Sequence, residues 1–195
     1  MKPPDIIEVT FKVVEVFEKF NIGYYIDGSL ASSAFGVARS TFDVDIVADI
    51  KSDHASALEE ILKKEFYVDI DMILSAIEKQ SSFNIIHLET MFKIDVFILK
   101  NQPFSSQVFS RREKKFVSQD LSKQLYLASP EDIILTKLDW YKSGGESLEQ
   151  QWKDILGVLK VQGTKLDMNY LKHWAGELSV LDLLNKALED AGIME

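Results

Sequence analysis

The segment Phe42–Ile50 constrains the chain more than any other. Phe42, Val44, Ile46 and Ala48 alternate with Asp43, Asp45 and Val47. Successive side chains of a strand point to opposite faces, so the segment reads as a strand with an apolar face and two carboxylates on the other face. Asp43 and Asp45 then stand roughly 6–7 Å apart at their Cα atoms. Two carboxylates that close repel each other unless a cation lies between them.

The neighbouring segments supply the layers around this strand. Ile6, Val9, Val13, Val16, Phe17 and Phe20 recur at steps of three and four, the pattern of an amphipathic helix over 5–20, which Asn21-Ile22-Gly23 ends. Tyr24-Tyr25-Ile26 reads as a short strand, Gly28-Ser29 as a turn, and 30–35 as a short helix capped by Ser29 and closed by Gly36. Asp53 is placed to cap a helix reaching about Lys64. A strand over 67–70 and a helix over 72–79 follow, then a hairpin of 83–88 and 92–99 turning at Glu89-Thr90. Residues 104–128 are polar, with a weak strand at 124–127 and a basic run, Arg111-Arg112-Glu113-Lys114-Lys115, that reads as a solvated turn. Ser129-Pro130-Glu131-Asp132 starts a helix: a capping serine, proline in the first turn, and acids at its positive end. That helix runs to about Lys142, Ser143-Gly144-Gly145 breaks it, and helices over about 147–161, 167–175 and 178–191 complete the chain. The fold class is therefore α/β (α+β): a mixed sheet with helices over 1–102, then a mainly helical region over 103–195.

Composition narrows the chemistry. The chain has no cysteine, so any metal must be held by oxygen or imidazole. No apolar run approaches the ~18 residues a membrane span needs, and the N-terminus, Met1-Lys2-Pro3-Pro4-Asp5, does not read as a signal peptide, which makes the cytoplasm the expected location. The net charge of −9 does not favour broad nucleic-acid binding, although it leaves room for a local basic cleft.

The residues that carry chemistry form one constellation. Ile26-Asp27-Gly28-Ser29 runs a strand into a turn and a helix; glycine lets a phosphate approach the main chain, and a helix N-terminus favours its negative charge. Thirteen residues, Leu30 to Phe42, separate this turn from Asp43-Val44-Asp45. A third acid, Asp95, lies within Ile94-Asp95-Val96-Phe97-Ile98, where a carboxylate is costly to bury without a partner. Shared magnesium is one such partner, since Mg2+ takes a few carboxylates, water and phosphate oxygens. Lys93, two residues away on the same face, is another.

Gly-Ser, a spacer of about a dozen residues, Asp-x-Asp and a later strand acid resemble the polymerase-beta-like nucleotidyltransferase superfamily. The run Gly28-Ser29-Leu30-Ala31-Ser32-Ser33, Gly36 and Arg39-Ser40-Thr41-Phe42-Asp43-Val44-Asp45 resembles its bacterial AbiEii-type branch, as do Ser129-Pro130-Glu131-Asp132, Lys137-Leu138 and Gln151-Trp152-Lys153-Asp154-Ile155. The resemblance implies transfer of a nucleoside monophosphate from an NTP to a hydroxyl by a two-metal mechanism, with Mg2+, two ions, as cofactor. It implies that Gly28 and Ser29 cradle the β- and γ-phosphates, that Asp43 and Asp45 bind both metal ions, and that Asp95 binds the catalytic one. Lys137 would face the triphosphate, Lys153 and Asp154 would line the same cleft, and Arg39 and Thr41 would touch phosphate or brace the strand. The acceptor could be a small molecule, an RNA end or a protein side chain, and an antitoxin is a possible protein partner. One position departs from the pattern: where members often carry a small residue before Gly-Ser, this chain has Asp27, which repels a triphosphate unless it points away or pairs with a cation.

Blander readings stand beside these. A second Asp-x-Asp, Asp69-Ile70-Asp71, lacks the Gly-Ser turn and reads as surface acids or a helix cap. Lys137 falls off the most apolar helical stripe, so a solvated lysine is its alternative. The alternative for the whole chain is a catalytically inactive nucleotide-binding or toxin–antitoxin interaction module with the same fold.

Overall fold

The computed structural model describes residues 4–117, 123–144 and 148–193; Met1–Pro3, Gly145 of the expected break and the expected helix start at 147 lie outside them. The chain divides into two compact units, residues 1–27 with 41–127, and residues 28–40 with 128–195.

The first unit is built on a seven-stranded mixed sheet. Its strands are β1 (Tyr24–Asp27), β2 (Asp43–Ala48), β3 (Phe66–Tyr67), β4 (Ser82–His87), β5 (Lys93–Ile98), β6 (Glu113–Phe116) and β7 (Gln124–Leu127), in the order β3-β4-β5-β2-β1-β7-β6. β2 runs antiparallel to β1 and parallel to β5, and β4 and β5 form the antiparallel hairpin expected from the sequence. One face of the central strands is dry: Val44, Ile46 and Ala48 of β2, Phe83 and Ile85 of β4, and Ile94, Val96 and Ile98 of β5 are buried. The helices of this unit are α1 (Ile6–Lys19), α3 (Ala55–Leu62), α4 (Ile70–Lys79) and α5 (Pro103–Arg111). α1 contacts β2, and α4 contacts β4 and β5. A reciprocal cap between Asp5 and Glu8 opens α1, which buries Val9, Val13, Val14 and Phe17.

Several boundaries differ from the sequence reading for identifiable reasons. Asp53 caps nothing: it lies in a short 3-10 turn, Ser52–His54, held by the Lys51 amide donating to His54 Nδ1 (3.0 Å). The strand expected over 67–70 instead starts at Phe66 and ends at Tyr67, because Asp69 caps α4 from the next position but one, accepting from the amides of Asp71 (2.9 Å) and Met72 (3.1 Å). The basic run is not a turn. Arg111 ends α5, and Glu113, Lys114 and Lys115 enter β6, an edge strand whose charges suit an unpaired rim. β6 and β7 carry the sheet past residue 102, so the division at 102/103 falls inside the first unit.

The second unit contains α2 (Gly28–Phe35), α6 (Pro130–Lys142), α7 (Leu148–Gln162), α8 (Met168–Glu177) and α9 (Leu181–Ala191). The start of α6 is as the sequence indicates: Ser129 Oγ accepts from the Asp132 amide (3.2 Å) with Pro130 in the first turn. Both first-turn acids are buried and tie α6 to α8. Glu131 accepts from the Asp167 amide (2.9 Å), and Asp132 accepts from the Tyr170 hydroxyl (2.6 Å). α2 starts one residue before its expected cap, because Gly28 takes φ +62°, the left-handed region open to glycine, and Ser29 falls inside the first turn.

Gly36 marks a close approach of α2 to α7. A Cβ built there would lie 2.8 Å from the Val158 amide nitrogen and 2.9 Å from the Gly157 carbonyl carbon. Backbone cannot yield as a flexible side chain does, so Gly36→Ala is expected to destabilise the protein by about 1–3 kcal/mol in denaturant unfolding.

Candidate active site

The register of the central strands decides which acids meet. Asp45 is the Cα partner of Asp95 across the parallel β2–β5 pair and of Asp27 across the antiparallel β1–β2 pair. Asp95 is in turn the partner of Asn84 on β4. Partners share a face, so Asp27, Asp45, Asp95 and Asn84 form one row across four strands, with neighbouring strands roughly 4.7–4.9 Å apart. Asp43, two residues before Asp45, lies on the same face and is the partner of Lys93. Three acids from two strands separated by about half the sheet-forming chain are thus neighbours through backbone pairing alone.

The side chains on this face hold one another in a specific way. Lys93 Nζ lies 2.7 Å from Asp95 Oδ2, and Asn84 Nδ2 donates to Asp95 Oδ1. The hydrogen bond to Asp95, followed by the charges of Asp95, Asp43 and Asp45, pushes the Lys93 ammonium above the usual lysine range against the opposing effect of burial. Thr41 Oγ1 donates to Asp43 Oδ1 (2.7 Å), so Thr41 braces the first acid. Among the described residues no three acidic or imidazole side chains close on a common point. Asp95 is turned toward Lys93 and Asn84, and Asp43 toward Thr41, although their strands are paired. The donor set nonetheless fits a hard divalent cation: hard carboxylate oxygens on one half-buried face, with no competing thiolate.

Asp27, which the sequence marks as an exception, does not point away from this face. Its register with Asp45 places it at the end of the acid row, and it is buried.

A second polar cluster lies wholly within the α2–α6–α7 unit, centred on buried Asp154. Arg39 grips this carboxylate with a fork, Nε to Oδ1 at 3.1 Å and Nη2 to Oδ2 at 3.2 Å, and the same Nη2 donates to Ser29 Oγ. Lys137 Nζ reaches Asp154 Oδ2 at 2.9 Å and Gln151 Oε1 at 2.8 Å, and Gln150 donates to Oδ1 at 2.8 Å. Burial pushes the Asp154 carboxyl up, but the hydrogen bonds from Arg39 and Lys137 outweigh it and hold the group below the usual carboxylate range. Lys137 is 3% exposed, so the solvated-lysine alternative does not hold. Two cations against one carboxylate leave this cluster one positive charge in excess, beside Ser29 and the start of α2.

Lys153 does not join this cluster. It is exposed and pairs with Glu149 one turn back on α7 (2.6 Å). Asp69 and Asp71 also stand apart, since Asp69 is spent as the α4 cap. Asp69→Asn keeps a capping oxygen and is expected to leave both stability and function nearly unchanged, whereas Asp69→Ala should cost about 1 kcal/mol in thermal or denaturant melts. Sequence reasoning missed Asn84 and gave Lys93 only as a rival partner. The signal for Asn84 was its place in β4, alternating with Phe83 and Ile85.

Neither a family model nor a curated protein sequence matches the chain. Solved structures do. An antigenic nucleotidyltransferase-like protein from Paracoccidioides brasiliensis superposes with a TM-score of 0.58 at 18% identity, over 93% of this chain and 90% of that one. The fold is that of the nucleotidyltransferases. The antibiotic-resistance factor ANT(2'')-Ia matches in the same way: TM-score 0.57 and 13% identity for its complex with adenylyl-2''-tobramycin, over 88% of this chain and 95% of that one. Its solution structure gives 0.56 and 13%, over 94% and 99%. At these identities the likeness is one of fold. No helix of the described residues is long and apolar enough to cross a membrane.

Proposed function

We propose that the protein is a nucleotidyltransferase that moves a nucleoside monophosphate from an NTP to a hydroxyl of an acceptor. The observation that carries this reading is the register Asp45–Asp95, with Asp43 on the same face, in a fold shared with nucleotidyltransferases. In the reaction the acceptor oxygen bonds to the α-phosphorus, the bond to the bridging oxygen breaks, and pyrophosphate leaves with its electron pair. Asp43, Asp45 and Asp95 would hold magnesium, two ions in the full reading, and bound magnesium supplies charge neutralisation for the triphosphate and acidifies the acceptor hydroxyl.

The protein's own groups do the rest. Asp95 is the residue assigned to accept the hydroxyl proton, and Asn84 orients that carboxylate by donating to its other oxygen. Thr41 orients Asp43. Gly28 and Ser29 are assigned to the β- and γ-phosphates: Gly28, with φ +62°, turns the chain from β1 into the start of α2, and Arg39 holds the Ser29 hydroxyl in place. The surplus positive charge of Arg39, Lys137 and Asp154 suits a triphosphate. Lys153, although assigned to the nucleotide by resemblance, has the least support, since it points to solvent. The acceptor is best read as a small hydroxyl-bearing cation rather than RNA, because an acid-lined face in a chain of net charge −9 attracts amines. A cytoplasmic location and an antitoxin partner belong to the same reading.

The test is incubation of the purified protein with each α-labelled NTP, magnesium and a cell extract, followed by identification of the labelled product. A labelled acceptor and stoichiometric pyrophosphate are expected. Absence of label together with absence of magnesium-dependent NTP binding in calorimetry would overturn the reading; binding without transfer would instead favour the inactive nucleotide-binding module.

A further inference from the structure

We propose that Lys93 is the resident counter-cation of the acid face, offsetting part of the carboxylates' negative charge until a divalent cation displaces its ammonium. The proposal rests on the reading of Asp43, Asp45 and Asp95 as metal ligands and adds a residue that sets their affinity for the ion.

Three observations carry it. Lys93 is placed by register, not by chance of a flexible surface: it is the Cα partner of Asp43 and lies two residues before Asp95, so it shares their face. Its ammonium sits 2.7 Å from Asp95 Oδ2. That oxygen is the one Asn84 leaves open, since Asn84 donates to Oδ1. The pair therefore differs from an ordinary exposed ion pair, which joins two charges and contributes little. Here one cation faces several carboxylates whose spacing is fixed by backbone hydrogen bonds.

The choice of lysine matters. Its four-carbon stem is flexible and carries a point charge, whereas arginine would lock onto a carboxylate with a planar fork. The Lys93 side chain is 45% exposed, so its ammonium can turn out into water without a large desolvation change when another cation arrives. An acid row without any cation would suffer like-charge repulsion, and one with a fixed cation would exclude the metal. A displaceable lysine avoids both. It also follows that ions must compete with Lys93, which lowers affinity for a bare metal ion and favours one arriving with triphosphate, whose oxygens supply further ligands and can receive the released ammonium.

The experiment is a titration of nucleotide-free protein with Mn2+, followed by calorimetry and by the electron-spin signal of free Mn2+, for wild type, Lys93→Ala, Lys93→Gln, Lys93→Arg and the remote control Lys79→Ala. Removing one positive charge beside the carboxylates should tighten Mn2+ binding by about tenfold or more in Lys93→Ala and Lys93→Gln. Lys79→Ala, on the exposed surface of α4, should bind as wild type does, and Lys93→Arg should not bind more tightly than wild type. Without metal, Lys93→Ala should melt below wild type, and Mn2+ should raise its melting temperature more than that of wild type. Lys93→Gln keeps the comparison open if the alanine variant does not fold. Equal or weaker Mn2+ binding by both neutral variants, with wild type binding measurably, overturns the Lys93 proposal and leaves the metal reading intact. No Mn2+ binding by any variant, with or without a non-hydrolysable NTP analogue, overturns the metal reading and this proposal with it.

Discussion

Asp45→Asn is expected to reduce nucleotidyl transfer by more than about a thousandfold, on the scale of losing a group that organises charge in the transition state. Asp45 is the centre of the acid row, with Asp27 as its partner on one side and Asp95 on the other. Asparagine keeps the shape and one oxygen but loses the charge that a magnesium ion needs. The same substitution should not harm the fold. β2 is held by its backbone ladders to β1 and β5 and by the buried Val44, Ile46 and Ala48, none of which involve the Asp45 side chain. Without metal, removing one of several adjacent like charges relieves repulsion, so the melting temperature should be unchanged or slightly higher. Asp43→Asn should follow the same pattern. Transfer assays with thermal melts of the same preparations make the check: full activity in either variant would show that the acids are not the site, and loss of activity with a collapsed melt would show a structural role instead.

Much of this site was legible in the sequence because it is carried by short-range periodicity. The alternation in β2 puts Asp43 and Asp45 on one face whatever the rest of the chain does, and the apolar surroundings of Asp95 mark it as a carboxylate in need of a partner. The start of α6 was legible because serine, proline and two acids each answer a local need of a helix N-terminus. What could not be read was register. That β5 lies beside β2 in parallel, with Asp95 opposite Asp45, depends on long-range packing that no local pattern encodes. Asp27 therefore looked like an exception at a phosphate turn when its backbone pairing makes it a member of the acid row. α5 and β6 were missed for a different reason. Only Val108 of α5 is fully buried, and β6 is a charged edge, so neither shows the period of its own structure. Lys137 was ambiguous because α6 buries residues on most of its circumference, including Glu131, Asp132 and Lys137, and a helix buried nearly all round has no polar face to mark.

Asp154 shows what the sequence withheld most completely, and it yields the largest expected effect on stability. Its partner Arg39 is 115 residues away, and the contact joins the loop after α2 to α7 within one unit. Asp154→Asn is expected to destabilise the protein by about 3–5 kcal/mol, because it strands a lysine whose side chain is only 4% exposed without its counter-charge. The double substitution Lys137→Met with Asp154→Leu should recover much of that loss, since two apolar groups of similar size replace a pair that was costly to desolvate. Transfer should not recover with it: Arg39 loses its anchor, and with it the hold on Ser29. Stability and function would thus separate, which a purely structural ion pair would not produce. Acid gives an independent check. The Asp154 carboxyl lies below its ordinary value of 3.8 in the folded protein, so its contribution is fully present above that pH and is lost as pH falls through the depressed folded value. The stability gap between wild type and Asp154→Asn, measured by denaturant unfolding across that range, should therefore narrow as acid is added. A gap that stays constant through the acid range would mean that the Asp154 charge is not what holds Lys137 and Arg39 in place.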